Sequence, residues 1–301
     1  MEKRLGAIFV VISAICFGFL PIFAGLAYRN GANTVTLLAA RFTIAALILW
    51  LIVLAKKIKY NLGKRKIIYL ILLGGIGYNS ATASYFIALN YISTPLVALI
   101  YYTHPIIVSI LSYFIIKEEI TKNKAAALGI STAGLVMIVG FSLGDINIKG
   151  ILFAMLAAFV YSIYIIIGDR VVKGLNPLIV ATYVTTGCSI TANLIGMITG
   201  SLIKMTLPSW FFSFMTAVFP TVIAILLFYE GMKRIGPSKV AIISTIEPVV
   251  TTIMAAIIFH DILSSPQIIG GLLVIMGVIV LQRTGEKSDN IILDEALKQH
   301  E

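Results

Sequence analysis

Charge is what this sequence has least of. Asp, Glu, Lys and Arg make up 12% of its 301 residues, about half the share of a soluble domain. A globule so poor in charge would expose wide apolar patches, whereas a bundle surrounded by lipid needs no charged exterior. Histidine and cysteine are scarce too, at three and two residues. Cys16 and Cys188 sit within apolar runs at no metal-ligand spacing, so they read as small core residues, and neither a metal nor a cofactor is expected. None of His104, His260 and His300 falls in an H-E-x-x-H pair, no G-x-G-D aspartate motif occurs, and a G-x-x-x-x-G-K-S/T phosphate loop is missing. An intramembrane hydrolase is therefore disfavoured, as is a pump that binds nucleotide on this chain. No polar stretch is long enough to fold alone as a soluble domain.

What the sequence does have is apolar length. It is 59% hydrophobic with a mean hydropathy of +1.01. Its charges and its Gly, Pro and Asn turns divide it into ten runs, at 5–27, 33–55, 67–89, 94–116, 124–142, 150–168, 177–200, 209–231, 237–259 and 266–282. A transmembrane helix needs about 20 mostly apolar residues, so the expectation is an all-α membrane protein with ten transmembrane helices. The first run follows Lys3 and Arg4 as a signal peptide would, but it is too long for an h-region and no small-x-small cleavage site follows it. It counts as the first span.

The net charge of +10 has to be read by position. With a cytoplasmic N-terminus, nineteen of the 23 basic residues fall on one face, including Lys56, Lys57, Lys59, Lys64, Arg65 and Lys66 between spans two and three. The other face holds Arg29, Lys149 and Lys204, and Arg41 lies within the second span. The positive-inside rule then places both termini in the cytoplasm, in a plasma-membrane protein whose basic charge is topogenic rather than a nucleic-acid surface. The segment 283–301 is an acidic cytoplasmic tail carrying Glu286, Asp289, Asp294, Glu295 and Glu301, with room for a short surface helix.

An internal repeat is present. Shifting the chain by 143 residues brings 88–137 onto 231–280 without a gap, with Pro105 on Pro248, Ala98 on Ala241, Ser109 on Thr252, Glu118 on Asp261 and Gly134 on Gly277. A shift of 144 brings Gly6 onto Gly150, Phe9 onto Phe153 and Phe17 onto Tyr161. The repeats are 1–142 and 150–282. Each holds five predicted spans, an odd number, so the second copy must enter the membrane from the opposite face. Inverted repeats of this kind are a recurrent plan of secondary transporters, with the site near the midplane.

The motifs carry a resemblance. Tyr-Tyr-Thr-His-Pro (101–105), Lys-Glu-Glu (117–119) and a glycine-bearing helix at 129–142 resemble the first EamA domain of the drug/metabolite transporter superfamily. Thr-Ile-Glu-Pro (245–248), His260-Asp261 and Gly270, Gly271 and Gly277 resemble the second, and Ala-Ala-Arg-Phe (39–42) also fits. His260-Asp261 departs from the Gly-Glu often found in the family. The resemblance implies a ten-helix bundle around a central cavity lined mainly by spans 1, 3, 4, 6, 8 and 9. It also implies small metabolites such as amino acids as cargo, often moved outward. It leaves nucleotide sugars, polyamines and lipid-linked sugars open.

The candidate site follows from the ionisable residues left inside the spans. The 143 shift superposes His104 on Glu247, each directly before a helix-interior proline, and superposes Tyr101 on Ser244. An ionisable group in hydrocarbon is costly and faces a cavity or a partner. Glu247 is thus a candidate proton or substrate-amine site, with His104 its counterpart and protons a coupling ion. Pro105 and Pro248 free the carbonyls of Tyr101 and Ser244. Tyr78, Tyr85, Tyr101, Tyr161, Tyr164, Phe17 and Phe228 are candidate walls, since rings with polar tips suit an amphipathic or cationic ligand; interhelical packing is the competing reading for each. Arg41 reads as a structural anchor that snorkels or meets a carboxylate, with a coupling role open. Thr182, Thr186, Ser189 and Asn193, and separately Ala125, Gly129 and Ala133, read as close-packing stripes.

Overall fold

Asparagine and threonine open the helices. In the computed structural model, which describes residues 2–58, 60, 62–92, 94–140, 147–259 and 263–298 and leaves out the side chains of 94, 95 and 282–298, Asn33, Thr121, Asn147, Asn176 and Thr206 each accept a backbone N–H of the following turn. Such N-caps satisfy donors that a helix start leaves unpaired. Lys59, the His260-Asp261 turn and the charged side chains of the acidic tail lie outside the described residues. Among those residues the secondary structure is helical, with no strand. In chain order the helices are α1 (Glu2–Gly18), α2 (Leu20–Arg29), α3 (Thr34–Ala55), α4 (Lys64–Leu72), α5 (Asn79–Ala88), α6 (Thr94–Tyr101), α7 (His104–Ile116) and α8 (Lys122–Val139). They continue with α9 (Ile148–Lys173), α10 (Pro177–Ile198), α11 (Leu207–Ala217), α12 (Ala224–Ile235), α13 (Pro237–Ile243), α14 (Ile246–Phe259) and α15 (Ser265–Lys298).

Eight stretches are long and apolar enough to cross a membrane: Glu2–Arg29, Thr34–Ala55, Lys64–Ala88, Leu96–Ile116, Ile148–Lys173, Pro177–Ile198, Leu207–Ile235 and Pro237–Phe259. They coincide with eight of the ten predicted runs. The other two runs correspond to α8 and to the apolar part of α15, Ser265–Leu281, which fall short in apolarity or length. The large side chains left exposed, such as Leu51, Leu54, Phe114, Leu152 and Ile198, lie on the outer faces of these helices, where lipid replaces water as their environment.

Several predicted single helices are interrupted. Pro21 lies in the first turn of α2, and the first span breaks at Phe19. Two others pass through a π-helical turn, at Leu73–Tyr78 between α4 and α5 and at Val218–Ile223 between α11 and α12. These six-residue segments occupy equivalent places in the two halves. The first has two adjacent glycines, Gly74 and Gly75, and the second has Pro220, which cannot donate a backbone hydrogen bond. α10 presses on the first π turn so closely that a β-carbon on Gly74 would collide with the Val184 carbonyl, and one on Gly187 with the Ile71 carbonyl.

Contacts between the halves are reciprocal. α1 packs along α12, and α9 packs along α5. A β-carbon on Gly6 would lie 2.8 Å from Cγ2 of Ile235, and one on its repeat equivalent Gly150 would lie 2.8 Å from Cγ2 of Ile92, the equivalent of Ile235. The first helix of each half therefore docks on the end of the other half's third. The predicted stripe of α10 packs on α3, with Thr43 Oγ1 2.9 Å from Ser189 Oγ and Trp50 donating to Thr186 Oγ1 at 3.1 Å. The stripe predicted for α8 is a correction. Ala125, Gly129 and Ala133 are exposed, and the adjacent face of Ala127, Ser131 and Gly134 meets Gly270, Val274 and Gly277 of α15.

Candidate functional site

Proline builds the centre of the molecule. Pro105 and Pro248 have no N–H to offer the carbonyls of Tyr101 and Ser244, and the helices break there, between α6 and α7 and between α13 and α14. Each freed carbonyl is satisfied locally. That of Tyr101 meets Nδ1 of His104 at 3.1 Å, and that of Ser244 accepts the Glu247 backbone N–H at 3.0 Å. Because a carbonyl only accepts, this arrangement puts the imidazole proton on Nδ1. Nε2 is left as an acceptor, buried and without a partner among the described residues. Around the ring stand Tyr101, Tyr102 and Tyr161, with centroids at 5.3, 5.9 and 5.0 Å.

Glu247 is near the break in α14, yet it keeps accessible surface, as do Tyr78, Tyr85, Tyr101, Tyr102 and Tyr161. The rings of Tyr78, Tyr85, Tyr101, Tyr102 and Tyr161 form one contiguous group in the middle of these helices. The Tyr102 hydroxyl is within hydrogen-bonding reach of the Glu247 carboxyl. The proline breaks thus bring one carboxyl group close to a group of phenols.

All the aromatic residues singled out by the sequence belong to one contiguous assembly. Tyr85 packs on Tyr101 at 5.3 Å, Tyr101 on Tyr161 at 5.5 Å, and Tyr161 stacks on Tyr164 at 5.7 Å. Tyr78 meets Tyr164 at 5.5 Å, and Phe17 meets Phe228 edge-on at 6.4 Å. Tyr229 joins the two groups, with its hydroxyl 2.7 Å from that of Tyr164 and its ring beside Phe228. Tyr164 and Phe228 are fully buried, and Ser244 is buried in the α13–α14 break. Tyr102 and Tyr229 went unnoticed in the sequence, where a tyrosine in an apolar run carries no mark of its own. Tyr102 was nonetheless in view as the neighbour of Tyr101. Among the described residues no three His, Cys, Asp or Glu side chains are grouped to hold a metal.

Arg41 neither snorkels nor meets a carboxylate. It is 2% exposed and reaches the second π turn, where Nε donates to Thr221 Oγ1 at 2.6 Å and Nη2 to the Pro220 carbonyl at 3.1 Å. Its guanidinium also lies within reach of Tyr78, the last residue of the first π turn. In the first π turn, the Gly74 carbonyl is met by Cys188 Sγ at 3.3 Å.

Polar clasps join the helices at both ends. At the end that holds the N-terminus, Glu118 takes Lys124 Nζ at 2.7 Å on one oxygen and Ser238 Oγ at 2.8 Å on the other, tying α8 to α13. Arg170 donates to the Ile115 carbonyl at 2.9 Å, Asp169 pairs with Lys173 at 2.7 Å, and Arg234 pairs with both Glu230 and Glu2. At the opposite end Asn33 donates to the Ser201 carbonyl at 2.7 Å, Thr206 to that of Asn30 at 2.8 Å, and Arg29 lies 4.5 Å over the Phe259 ring.

Comparison with known proteins agrees with this architecture. A solved crystal structure superposes with a TM-score of 0.79, covering 93% of this chain and 97% of its own, at 19% identity; that likeness concerns the fold. The uncharacterized transporter YyaM of Bacillus subtilis (strain 168) is 28% identical over 285 residues, 89% of this chain and 92% of the relative. An uncharacterized transporter of Clostridium kluyveri is 23% identical over 305 residues, 96% of each chain. The EamA-like transporter family matches twice, at residues 4–140 and 148–283. With nearly the whole length accounted for by these two copies, the chain is a multi-pass membrane protein that belongs to the EamA-like transporter family.

Proposed function

We propose that the protein is a secondary transporter working by alternating access, driven by an ion gradient or facilitative. Its cargo is a small polar or amphipathic metabolite of the amino-acid type, carried outward across the plasma membrane. Glu247 is the proton or substrate-amine site. One observation carries the reading: a partly accessible carboxyl group stands at a proline break with Tyr102 in reach of it, beside a contiguous group of tyrosines. A carboxylate in that setting binds a cation or a proton and exchanges one for the other, and phenol faces suit a cationic or amphipathic guest.

The transport cycle in this proposal rests on ten crossing helices in two inverted halves, with α8 and the apolar part of α15 as the fifth and tenth crossings. The reciprocal contacts of Gly6 with Ile235 and of Gly150 with Ile92 support it. Equivalent contacts fall at opposite ends of the bundle, as an axis in the membrane plane requires. Rocking one half against the other would break the Glu118–Ser238 clasp at one end while the Asn33–Ser201 clasp holds at the other.

The test is flux in proteoliposomes across a panel of amino acids, polyamines and nucleotide sugars, with and without an imposed pH gradient. A member of the panel should be transported, and Glu247→Gln should slow it by about tenfold or more, which corresponds to a barrier change of about 1.4 kcal/mol. Unchanged flux in Glu247→Gln would remove the carboxylate from the mechanism. Transport indifferent to the pH gradient would remove the proton.

A further inference from the structure

A second site lies far from the central tyrosines, at the end of the bundle that carries most of the basic residues. There the start of α4 and the end of α9 enclose an open cleft of about 420 Å³. Three cations stand at its rim, Arg65 and Lys66 from α4 and Arg170 from α9. Its floor is apolar, formed in part by Leu70 and Leu175. The Arg170 guanidinium is held in place by its bond to the Ile115 carbonyl at 2.9 Å, which uses one of its five N–H groups. The adjacent acid, Asp169, is fully buried and pairs with Lys173. Among the described residues Arg65 and Lys66 make no ion pair. Three cations so close together repel one another, and an anion between them removes that repulsion.

The surface leading away from the cleft indicates the kind of anion. Arg65, Tyr69, Leu72 and Ile76 succeed one another at helical spacing down one stripe. Tyr69, Leu72 and Ile76 are 47%, 47% and 59% exposed, so the stripe runs from a cationic head down an apolar flank. A free phosphate would use only the head. An anionic phospholipid uses both, with its phosphate among the cations and its acyl chain along the flank.

We propose that this cleft is a binding site for the headgroup of an anionic phospholipid of the inner leaflet, with one acyl chain laid along Tyr69, Leu72 and Ile76. Basic pockets between membrane helices on the cytoplasmic side take such headgroups, each Lys or Arg near the surface contributing severalfold to affinity. The proposal uses the orientation set by the basic residues and is independent of the identity of the transported metabolite.

The test is native mass spectrometry of the intact protein in detergent with equimolar phosphatidylglycerol and phosphatidylcholine, repeated with soluble glycerol phosphate. The wild type should retain phosphatidylglycerol in preference to phosphatidylcholine, and Arg65→Gln/Lys66→Gln should lower that preference about tenfold or more. Both residues are exposed, and thermal unfolding in phosphatidylcholine checks that the fold survives. Lys56→Gln/Lys57→Gln removes equal charge elsewhere on the same face and should keep the preference. Equal loss in the two double variants would reduce the effect to general surface charge and overturn the site. Displacement of the lipid by millimolar glycerol phosphate would make it a soluble-anion site and overturn the lipid assignment. An absence of preference in the wild type would overturn the proposal outright.

Discussion

At the scale of single residues, the interior is organised by backbone carbonyl groups that accept side-chain donors. His104 is placed by the Tyr101 carbonyl and Arg41 by that of Pro220. Removing the His104 donor leaves the carbonyl freed by Pro105 unpaired, which costs about 1–3 kcal/mol. His104→Ala should therefore lose stability of that order in chemical denaturation in detergent, and His104→Asn, whose amide can still donate to Tyr101, should recover much of it. An equal loss in both variants would show that the ring matters for packing and not for its Nδ1 bond. Arg41→Gln should lower the melting temperature, while Arg41→Lys should recover only part of the loss, because an ammonium cannot reproduce the planar fork that spans Thr221 and Pro220. His104 and Glu247 were legible in the sequence because the repeat aligns them and a proline marks each. The partners of Arg41 were not, since the π turn that presents Thr221 and Pro220 to it carries no mark in the sequence.

At the scale of elements, the proline breaks could be read and the π turns could not. A proline deep in an apolar run implies a freed carbonyl whatever surrounds it, so the interruptions before Pro105 and Pro248 follow from sequence alone. The break at Phe19 was missed because Pro21 sits close to the end of its run. Insertion of one residue into a helical turn is decided by the neighbour that presses on it, and that neighbour, α10, is more than a hundred residues away from the first π turn. The α8 stripe failed for a related reason: two parallel rows of small residues were available, and only the position of α15 selects Ala127, Ser131 and Gly134. The backbone contact of α10 with the first π turn has a sharp consequence. Gly187→Val should force the two elements apart, costing about 1–3 kcal/mol, while Gly129→Val, at a position with nothing within 4 Å, should be close to neutral. Thermal unfolding of the two variants side by side reads this directly, and equal melting temperatures would mean that the contact carries no weight.

For the molecule as a whole, the distribution of charge sets the expected topology. With ten expected spans, nineteen basic residues fall on one face and give an expected orientation, and five expected spans per half imply inverted repeats. The orientation has a direct check by cysteine labelling in intact cells. Lys204→Cys should react with a membrane-impermeant maleimide from outside, and Lys64→Cys should react only after permeabilisation. The opposite pattern would turn the molecule over in the membrane and move the proposed lipid site to the outer leaflet. What charge counting does not contain is how the halves meet, because shape complementarity between apolar helices leaves few marks in composition. That meeting is reciprocal, with α1 on α12 and α9 on α5.

This interlocking decides what each half can do without the other. A five-helix fragment would present to lipid the glycine faces of α1 and α8 that its twin covers, with no partner close enough to fill them. Fragments 1–142 and 143–301 made separately should be degraded, and made together they should reassemble into an assembly that can be isolated through a tag on either one. On the proposed inverted arrangement, a single-repeat chain with this surface would be stable only beside a second copy inserted upside down. Fusion of the two copies into one chain then fixes the opposed orientations that separate copies would have to reach independently.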